Sequence, residues 1–233
     1  MNLRSLISPF YLMRHLQRRA LRQAIATAPA QGTLIDIGCG QKPHRDLFPG
    51  ITRYEGIDFA GYSINKDFTA GSPDFLFPPD YPTHWKLPFP DQSYDHAAAL
   101  EVFEHHPDPL RGLSEIARVL RPGGHLYLSW PFIFPLHEEP HDHYRYTHHC
   151  MAVLARSAGL ELVGHWRTGG WVAVVVTLLT GQLAILNERG GAWRMLATLM
   201  YPPFLVLQHL AVPFSHLGRE TVLAYVAVCR KPR

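Results

Sequence analysis

The hydrophobic positions of this chain change period several times, and each change marks an element. Leu34-Ile35-Asp36-Ile37 sets three apolar residues around one acid and reads as a buried strand. Gly38 and Gly40 then end it in a tight turn, where backbone can approach a ligand that any Cβ would obstruct. Tyr54-Glu55-Gly56-Ile57-Asp58 reads as a second short strand ending in a carboxylate. An acid about 20 residues after the first glycine is where nucleotide-binding α/β folds hydrogen-bond a ribose diol. An adenosine cofactor is the first expectation. Further on, Asp108-Pro109 opens a helix with an acid at the N-cap and proline in the first turn. Leu110, Leu113, Ile116, Ala117 and Leu120 form its apolar stripe, Arg121-Pro122-Gly123-Gly124 ends it, and residues 125–130 make the next strand.

Two other stretches break the alternation. A helix over about residues 10–26 gathers Phe10, Met13, Leu16, Ala20, Leu21 and Ala24 on one side, with Arg14, His15, Arg18, Arg19 and Arg22 on the other. Residues 1–30, Arg4 included, hold no acid. This segment reads as a helix packed over a cofactor pocket, as a basic amphipathic helix on an anionic membrane surface, or as both. Near the other end, residues 160–166 and 221–229 read as the sixth and seventh strands, with too many residues between them for a structureless loop. The uncharged stretches Trp171 to Asn187 and Met195 to Gly218 fill the gap, joined by the polar turn Glu188 to Gly191. Thr177, Thr180, Gly181 and Gln182 interrupt the first, while Pro202-Pro203 and Pro213 break the second. A helical hairpin fits better than a spanning helix, serving as a lid, a homodimer contact, extra core or a membrane contact. Trp171, Trp193 and Tyr201 would suit an interfacial belt.

The glycine turn discriminates among adenosine cofactors. A dinucleotide fingerprint needs glycine at its sixth position, which here is Pro43, and a P-loop needs Gly-Lys-Ser/Thr, which Lys42-Pro43 does not supply. Asp36-Ile37-Gly38-Cys39-Gly40 resembles motif I of the class I S-adenosylmethionine-dependent methyltransferases. Residues 87–95, followed by His96-Ala-Ala-Ala-Leu100-Glu101-Val-Phe-Glu104-His105, resemble the fourth-strand region of that superfamily. The likeness covers about residues 33–167 and the last dozen, in matching order. It implies an α/β, Rossmann-like seven-stranded sheet with the last strand antiparallel and a helical insertion before it. The implied domain occupies 31–170 and 219–233, with the helical segment 1–30 in front and the insertion at 171–218.

The resemblance implies S-adenosyl-L-methionine as cofactor and assigns residues to it. Asp36 would order the glycine turn, Gly38 and Gly40 would pass under the methionine and ribose, and Cys39 would fill the turn. Asp58 would accept from the ribose hydroxyls, with Phe59 beside it, and Glu101 would lie near the sulfonium. Two departures stand out. Lys42 replaces an expected glycine, which implies a stiffer and differently shaped loop. The adenine-reading acid is also displaced, with Asp80, Thr83 and His84 as the nearest polar residues.

The loop after the fifth strand, residues 131–147, holds many titratable and aromatic groups. His137 is the candidate general base for a hydroxyl acceptor, because imidazole titrates near neutral pH. Asp142 would orient it, Tyr144 and Arg145 would hold an acceptor hydroxyl, carboxylate or phosphate, and His105 with Glu104 is the second candidate pair. The plainer reading makes Asp142 a helix cap and residues 105–107 a capping turn. His137, His141, His143, His148, His149 and Cys150 invite a zinc reading, but their spacing matches no closed four-ligand pattern, so no metal is expected. The loop and the apolar insertion resemble methyltransferases of bacterial surface-polysaccharide assembly, which implies a small-molecule or lipid-linked glycan acceptor. The alternatives are a lipid-like ring such as a quinone precursor, or a non-catalytic binding module.

Composition adds bounds. With 22 Lys and Arg against 19 Asp and Glu the net charge is +3, which gives no nucleic-acid footprint over the whole surface. Cys39, Cys150 and Cys229 are far apart and odd in number, which suits a reducing compartment. With no signal peptide visible, the expected location is cytoplasmic, at the inner face of the membrane.

Overall fold

The computed structural model describes residues 6–59, 72–78, 85–218 and 220–233. Helix α1 spans Tyr11–Thr27. The strands are β1 (Gly32–Ile37), β2 (Ile51–Asp58), β3 (Phe75–Leu76), β4 (Tyr94–Leu100), β5 (Leu120–Pro131), β6 (Glu161–Thr168) and β7 (Ala224–Arg230). Helices α2 (Pro109–Val119) and α3 (His148–Ser157) lie between strands, and α4 (Trp171–Arg189) and α5 (Gly191–Ala211) form the insertion. Among the described residues the strands make one seven-stranded sheet in the order β3-β2-β1-β4-β5-β7-β6. The pairs from β3 through β5 are parallel, and β7 runs antiparallel to both of its neighbours.

Strand alternation sends side chains to two cores. Ile35, Ile37, Ala97, Ala99, Leu126 and Leu128 meet Leu113 and Ile116 of α2 and Met151 and Ala155 of α3. On the other face Leu34, Ala98, Tyr127, Val226 and Val228 meet Ala20, Leu21 and Ala24 of α1. No α-helix links β1 to β2; the connection has only a 3₁₀ turn, Arg45–Leu47. Pro43 disfavours helical backbone at Lys42, which takes φ +55°. Helix α1 covers the face that a crossover helix would otherwise cover.

Asp108 caps α2 by accepting from the Arg111 amide, with Pro109 in the first turn. Its buried stripe differs from expectation at both ends. Leu110 is exposed, and the helix stops at Val119 so that Leu120 opens β5. Strand β7 begins at Ala224, three residues later than the pattern indicated.

The insertion is a hairpin of two helices with its turn reduced to Gly190, because α4 runs through Arg189 and α5 starts at Gly191. Helix α5 passes through Pro202 and Pro203 unbroken, contrary to the expected break, and gives way only at the 3₁₀ turn Val212–Phe214. Interior proline costs about 3 kcal/mol in an isolated helix. Here α5 packs along α4 and is tied to the N-terminal segment, so tertiary contacts override local preference. Gln208 donates to the Ser8 carbonyl and accepts from the Leu12 amide, and the Tyr201 hydroxyl donates to the Ile7 carbonyl. Leu12 and Leu16 of α1 complete a third core with Ala173, Val174, Val176 and Ala211.

At the amino edge of the sheet, Asp95 accepts from the Thr33 amide and hydroxyl, each at 2.9 Å, and from Arg121 at 2.6 Å. Burial opposes its ionisation, but the Arg121 and Thr33 hydrogen bonds outweigh burial and hold its pKa below 3.8. A depressed carboxylate pKa stabilises the fold above the unfolded value, and that stability is lost as pH falls through the folded value. Asp95→Asn is expected to lower unfolding free energy by about 1–2 kcal/mol at pH 7. In urea titrations the difference from wild type should narrow steadily below pH 4.

Candidate functional site

The strand order reverses between β1 and β4, and that switch point opens a crevice at the carboxyl edge of the sheet. The loop after β1 forms one wall. Gly38 and Cys39 donate their amides to the Ile57 carbonyl at 2.9 and 3.3 Å. The Gly40 amide donates to Asp58 Oδ2 at 2.6 Å, and the Phe59 amide to Oδ1 at 2.7 Å. Gly38 and Gly40 have φ of +64° and +49°. A Cβ on Gly38 would lie 2.6 Å from Val102 Cγ2, whereas one on Gly40 would meet nothing within 4 Å. Gly38 is therefore required by packing, and Gly40 borders open space beside the Asp58 carboxylate.

Lys42 replaces a glycine yet holds the left-handed conformation that glycine favours. Its ammonium is 2.5 Å from Asp74 Oδ2, and Asp74 also accepts from the Gly56 amide at 2.7 Å. Arg18 of α1 donates to the Pro43 carbonyl and pairs with Asp46, so this arginine faces the loop rather than solvent. Beneath the turn, Asp36 accepts from the Tyr54 hydroxyl at 2.5 Å, and burial raises its pKa to about 7. Burial likewise raises Asp58 and pushes the Cys39 thiol up, as befits a small buried filler.

Glu101, one residue past β4, has φ +58° and forms the opposite wall. Its Oε1 accepts from Gln17 Nε2 at 2.8 Å, and that nitrogen also reaches Ser129 Oγ at 2.9 Å. Burial raises the Glu101 pKa to about 7. Gln17 was not among the residues expected here. Its signal in the sequence was a lone polar side chain on the apolar side of α1, beside Leu16.

The loop after β5 folds toward Glu101. His143 and Tyr144 donate their amides to the Glu104 carbonyl. Asp142 accepts from Arg145 at 2.6 and 2.7 Å and from the His137 amide at 3.0 Å. Although burial opposes it, the Arg145 and His137 contacts hold the Asp142 pKa at about 2. His137 Nδ1 lies 3.2 Å from Asp142 and 3.2 Å from the Pro135 carbonyl, and the His105 ring is 4.8 Å away. Burial lowers the pKa of both histidines. Glu138 lies 3.5 Å from His105 Nε2 and feels the charge of Asp58, so the loop and the glycine wall enclose one cleft.

Several expected roles change. Asp142 is not a helix cap, since Thr147 caps α3. Arg145 is occupied within the loop by Asp142 and the Tyr144 and Pro135 carbonyls, which leaves it a staple rather than an acceptor contact. The Tyr144 hydroxyl donates to the Pro107 carbonyl. His106 accepts from the Asp108 amide, the capping-turn role. His148 stacks on His165 at 4.3 Å and Cys150 is exposed, so the histidine-rich run does not gather into one group. Arg4, Asp80, Thr83 and His84 lie outside the described residues.

Comparison with known proteins bears on the part of the chain that carries the glycine turn. Residues 35–128 match the methyltransferase domain family. That segment, residues 35–128, is a methyltransferase domain. The chain is similar to 27-O-demethylrifamycin SV methyltransferase of Amycolatopsis mediterranei, 35% identical over 106 residues, covering 41% of this chain and 37% of that one. The chain spans less than half the length of the curated relatives it matches first. In fold it is similar to the [4+2]-cyclase SpnF, with TM-score 0.58 at 19% identity, covering 92% of this chain and 80% of that one. Haemonchus contortus phosphoethanolamine N-methyltransferase 2, solved with S-adenosyl-L-methionine, gives TM-score 0.54 at 12% identity, covering 97% and 58%.

The cleft fits S-adenosylmethionine. Gly40 leaves space where a side chain would otherwise project, and Asp58 retains lone pairs beyond those used by the two amides. Asp58 would hold the ribose diol, with Gly38 and Gly40 as the floor and Glu101 on the far wall. When bound, S-adenosylmethionine supplies an electrophilic methyl group. Asp58→Ala should weaken its binding by at least ~2 kcal/mol, roughly 30-fold, because the diol loses its acceptor. Calorimetry on wild type and variant measures this, and equal affinities would refute the pose.

Proposed function

We propose that this protein transfers a methyl group from S-adenosylmethionine to a hydroxyl of a small-molecule or lipid-linked acceptor, with a glycan hydroxyl favoured. The observation that carries the reading is the enclosure of His105, His137 and Glu138 in the same cleft as Asp58 and Glu101. A cleft wall this rich in hydrogen-bonding groups suits a polyhydroxyl acceptor better than a quinone-like ring. The Pro135 carbonyl can only accept, so the imidazole hydrogen of His137 sits on Nδ1 and Nε2 keeps its lone pair. His137 is then the base for the hydroxyl proton, oriented by Asp142, with His105 as the second candidate. The oxygen attacks in line as the methyl leaves sulfur, and the enclosure supplies alignment.

The insertion supports a membrane-surface reading. Met195, Leu199, Val206 and Leu210 expose a helical stripe along α5, with Leu199 at 74%. The segment Gly191–Phe214 is long and apolar enough to cross a membrane, but its ties to α4 and residues 6–8 favour lying in the interfacial plane. Arg19 and Arg22 on the exposed side of α1 would add attraction to anionic lipid. A cavity of about 520 Å³ between α4, α5 and Pro9 is lined mostly by apolar residues and by none of the sheet-edge groups, so it belongs to this surface.

A screen of sugar and glycolipid acceptors with methyl-labelled cofactor tests the activity. His137→Ala should lower kcat about 10²-fold or more in metal-free buffer while cofactor affinity stays unchanged. Wild type is expected to float with anionic liposomes, and Leu199→Glu with Leu210→Glu to remain in the soluble fraction. Wild type that never floats would remove the membrane from this reading.

A further inference from the structure

We propose that Glu104, His105 and His137 form a site for one divalent first-row transition-metal cation on the acceptor side of the cleft. Their donor atoms all lie within 4.8 Å of one another. Glu104 is fully buried, and neither of its carboxyl oxygens has a hydrogen-bond partner on any other described residue. A buried carboxyl left in that state is costly, and a cation is one ligand that would satisfy both oxygens. Its neighbour His105 Nε2 is 3.8 Å from Oε1, short of a hydrogen bond but ordinary for two donors sharing an ion.

The histidines are prepared for the same task. His105 Nδ1 faces the His141 carbonyl at 3.0 Å and His137 Nδ1 faces the Pro135 carbonyl at 3.2 Å. Both carbonyls fix the hydrogen on Nδ1 and leave Nε2 free to ligate, which is how metal-binding imidazoles are held from behind. Donors at about 2.1 Å from one ion can be at most about 4.2 Å apart, so the widest pair need close by no more than roughly 0.6 Å. Glu138, 3.5 Å from His105 Nε2, is the nearest group able to add a fourth bond. Two imidazoles and a carboxylate suit manganese, iron, cobalt or zinc, whereas magnesium and calcium prefer oxygen throughout.

Three protein ligands leave coordination positions open, and an acceptor hydroxyl or carboxylate oxygen would enter there. That last assignment rests on the methyl-transfer reading above; the cation site does not. A nitrogen that ligates an ion has no lone pair for a proton, so His137 acts as a base only in the ion-free protein. Glu104 and His105 follow β4 whereas His137 lies in the loop after β5, so no local spacing along the chain displays the set.

The test uses the full chain stripped with chelator, titrated with Mn²⁺ by calorimetry and with Co²⁺ by visible absorption. One Mn²⁺ per chain and a Co²⁺ ligand-field band are expected. Glu104→Gln and His137→Ala should each weaken Mn²⁺ at least ~10-fold, while His149→Ala leaves it unchanged. Cofactor calorimetry on the same variants reports whether they fold, and His105→Ala replaces Glu104→Gln should the latter not fold. Absence of saturable Mn²⁺ binding, or binding indifferent to these substitutions, overturns the proposal. Failure of wild type to bind S-adenosylmethionine would instead count against the proposed reaction.

Discussion

The hydrogen bond from the Gly40 amide to the Asp58 carboxylate joins the ends of two neighbouring strands, and the cleft takes its shape from that junction. It holds the glycine turn over β2, orients the acid, and leaves the open side of Gly40 facing the crevice. The surrounding contacts reinforce it. Lys42 and Asp74 brace the turn from one side and Arg18 of α1 from the other, so a loop without a crossover helix still has fixed geometry. Positive φ at Lys42 is a local strain that persists because its neighbours over-determine it.

Four acids line or underlie this sheet edge, and burial treats them differently. Asp36 is answered by the Tyr54 hydroxyl, Asp58 by two backbone amides, and Glu101 by Gln17. Glu104 is answered by no other described residue, only by its own backbone, and the nearby Glu101 adds to the burial that already disfavours its charge. A protein selected for stability alone would gain from an apolar residue there. A buried carboxyl kept beside two imidazoles is the feature on which the proposed cation site rests.

Much of this was legible in the chain. The apolar run around Asp36, the cap at Asp108 and the glycine turn placed β1, α2 and the crevice, because local spacing determines each. What escaped depended on contacts remote in sequence. Gln17 reaches Glu101 across the sheet, Arg145 turns back onto its own loop, and Pro202-Pro203 stays helical because α4 and the N-terminal segment hold it. The strand ends moved by a few residues for the same reason, since pairing with β6 rather than local preference decides where β7 starts. Along the chain the candidate acceptor wall is a run of titratable residues, and only the fold separates staples from exposed lone pairs.

Helix α1 touches both halves of the molecule. Its Leu12 amide is bonded to Gln208 in the hairpin, and five residues on, Gln17 is bonded to Glu101 in the cleft. That distance is about 7.5 Å along a rigid rod. Any load on the hairpin would thus act as a lever on the Glu101 wall of the cleft, and a bulky fusion ahead of Tyr11 would load the same arm.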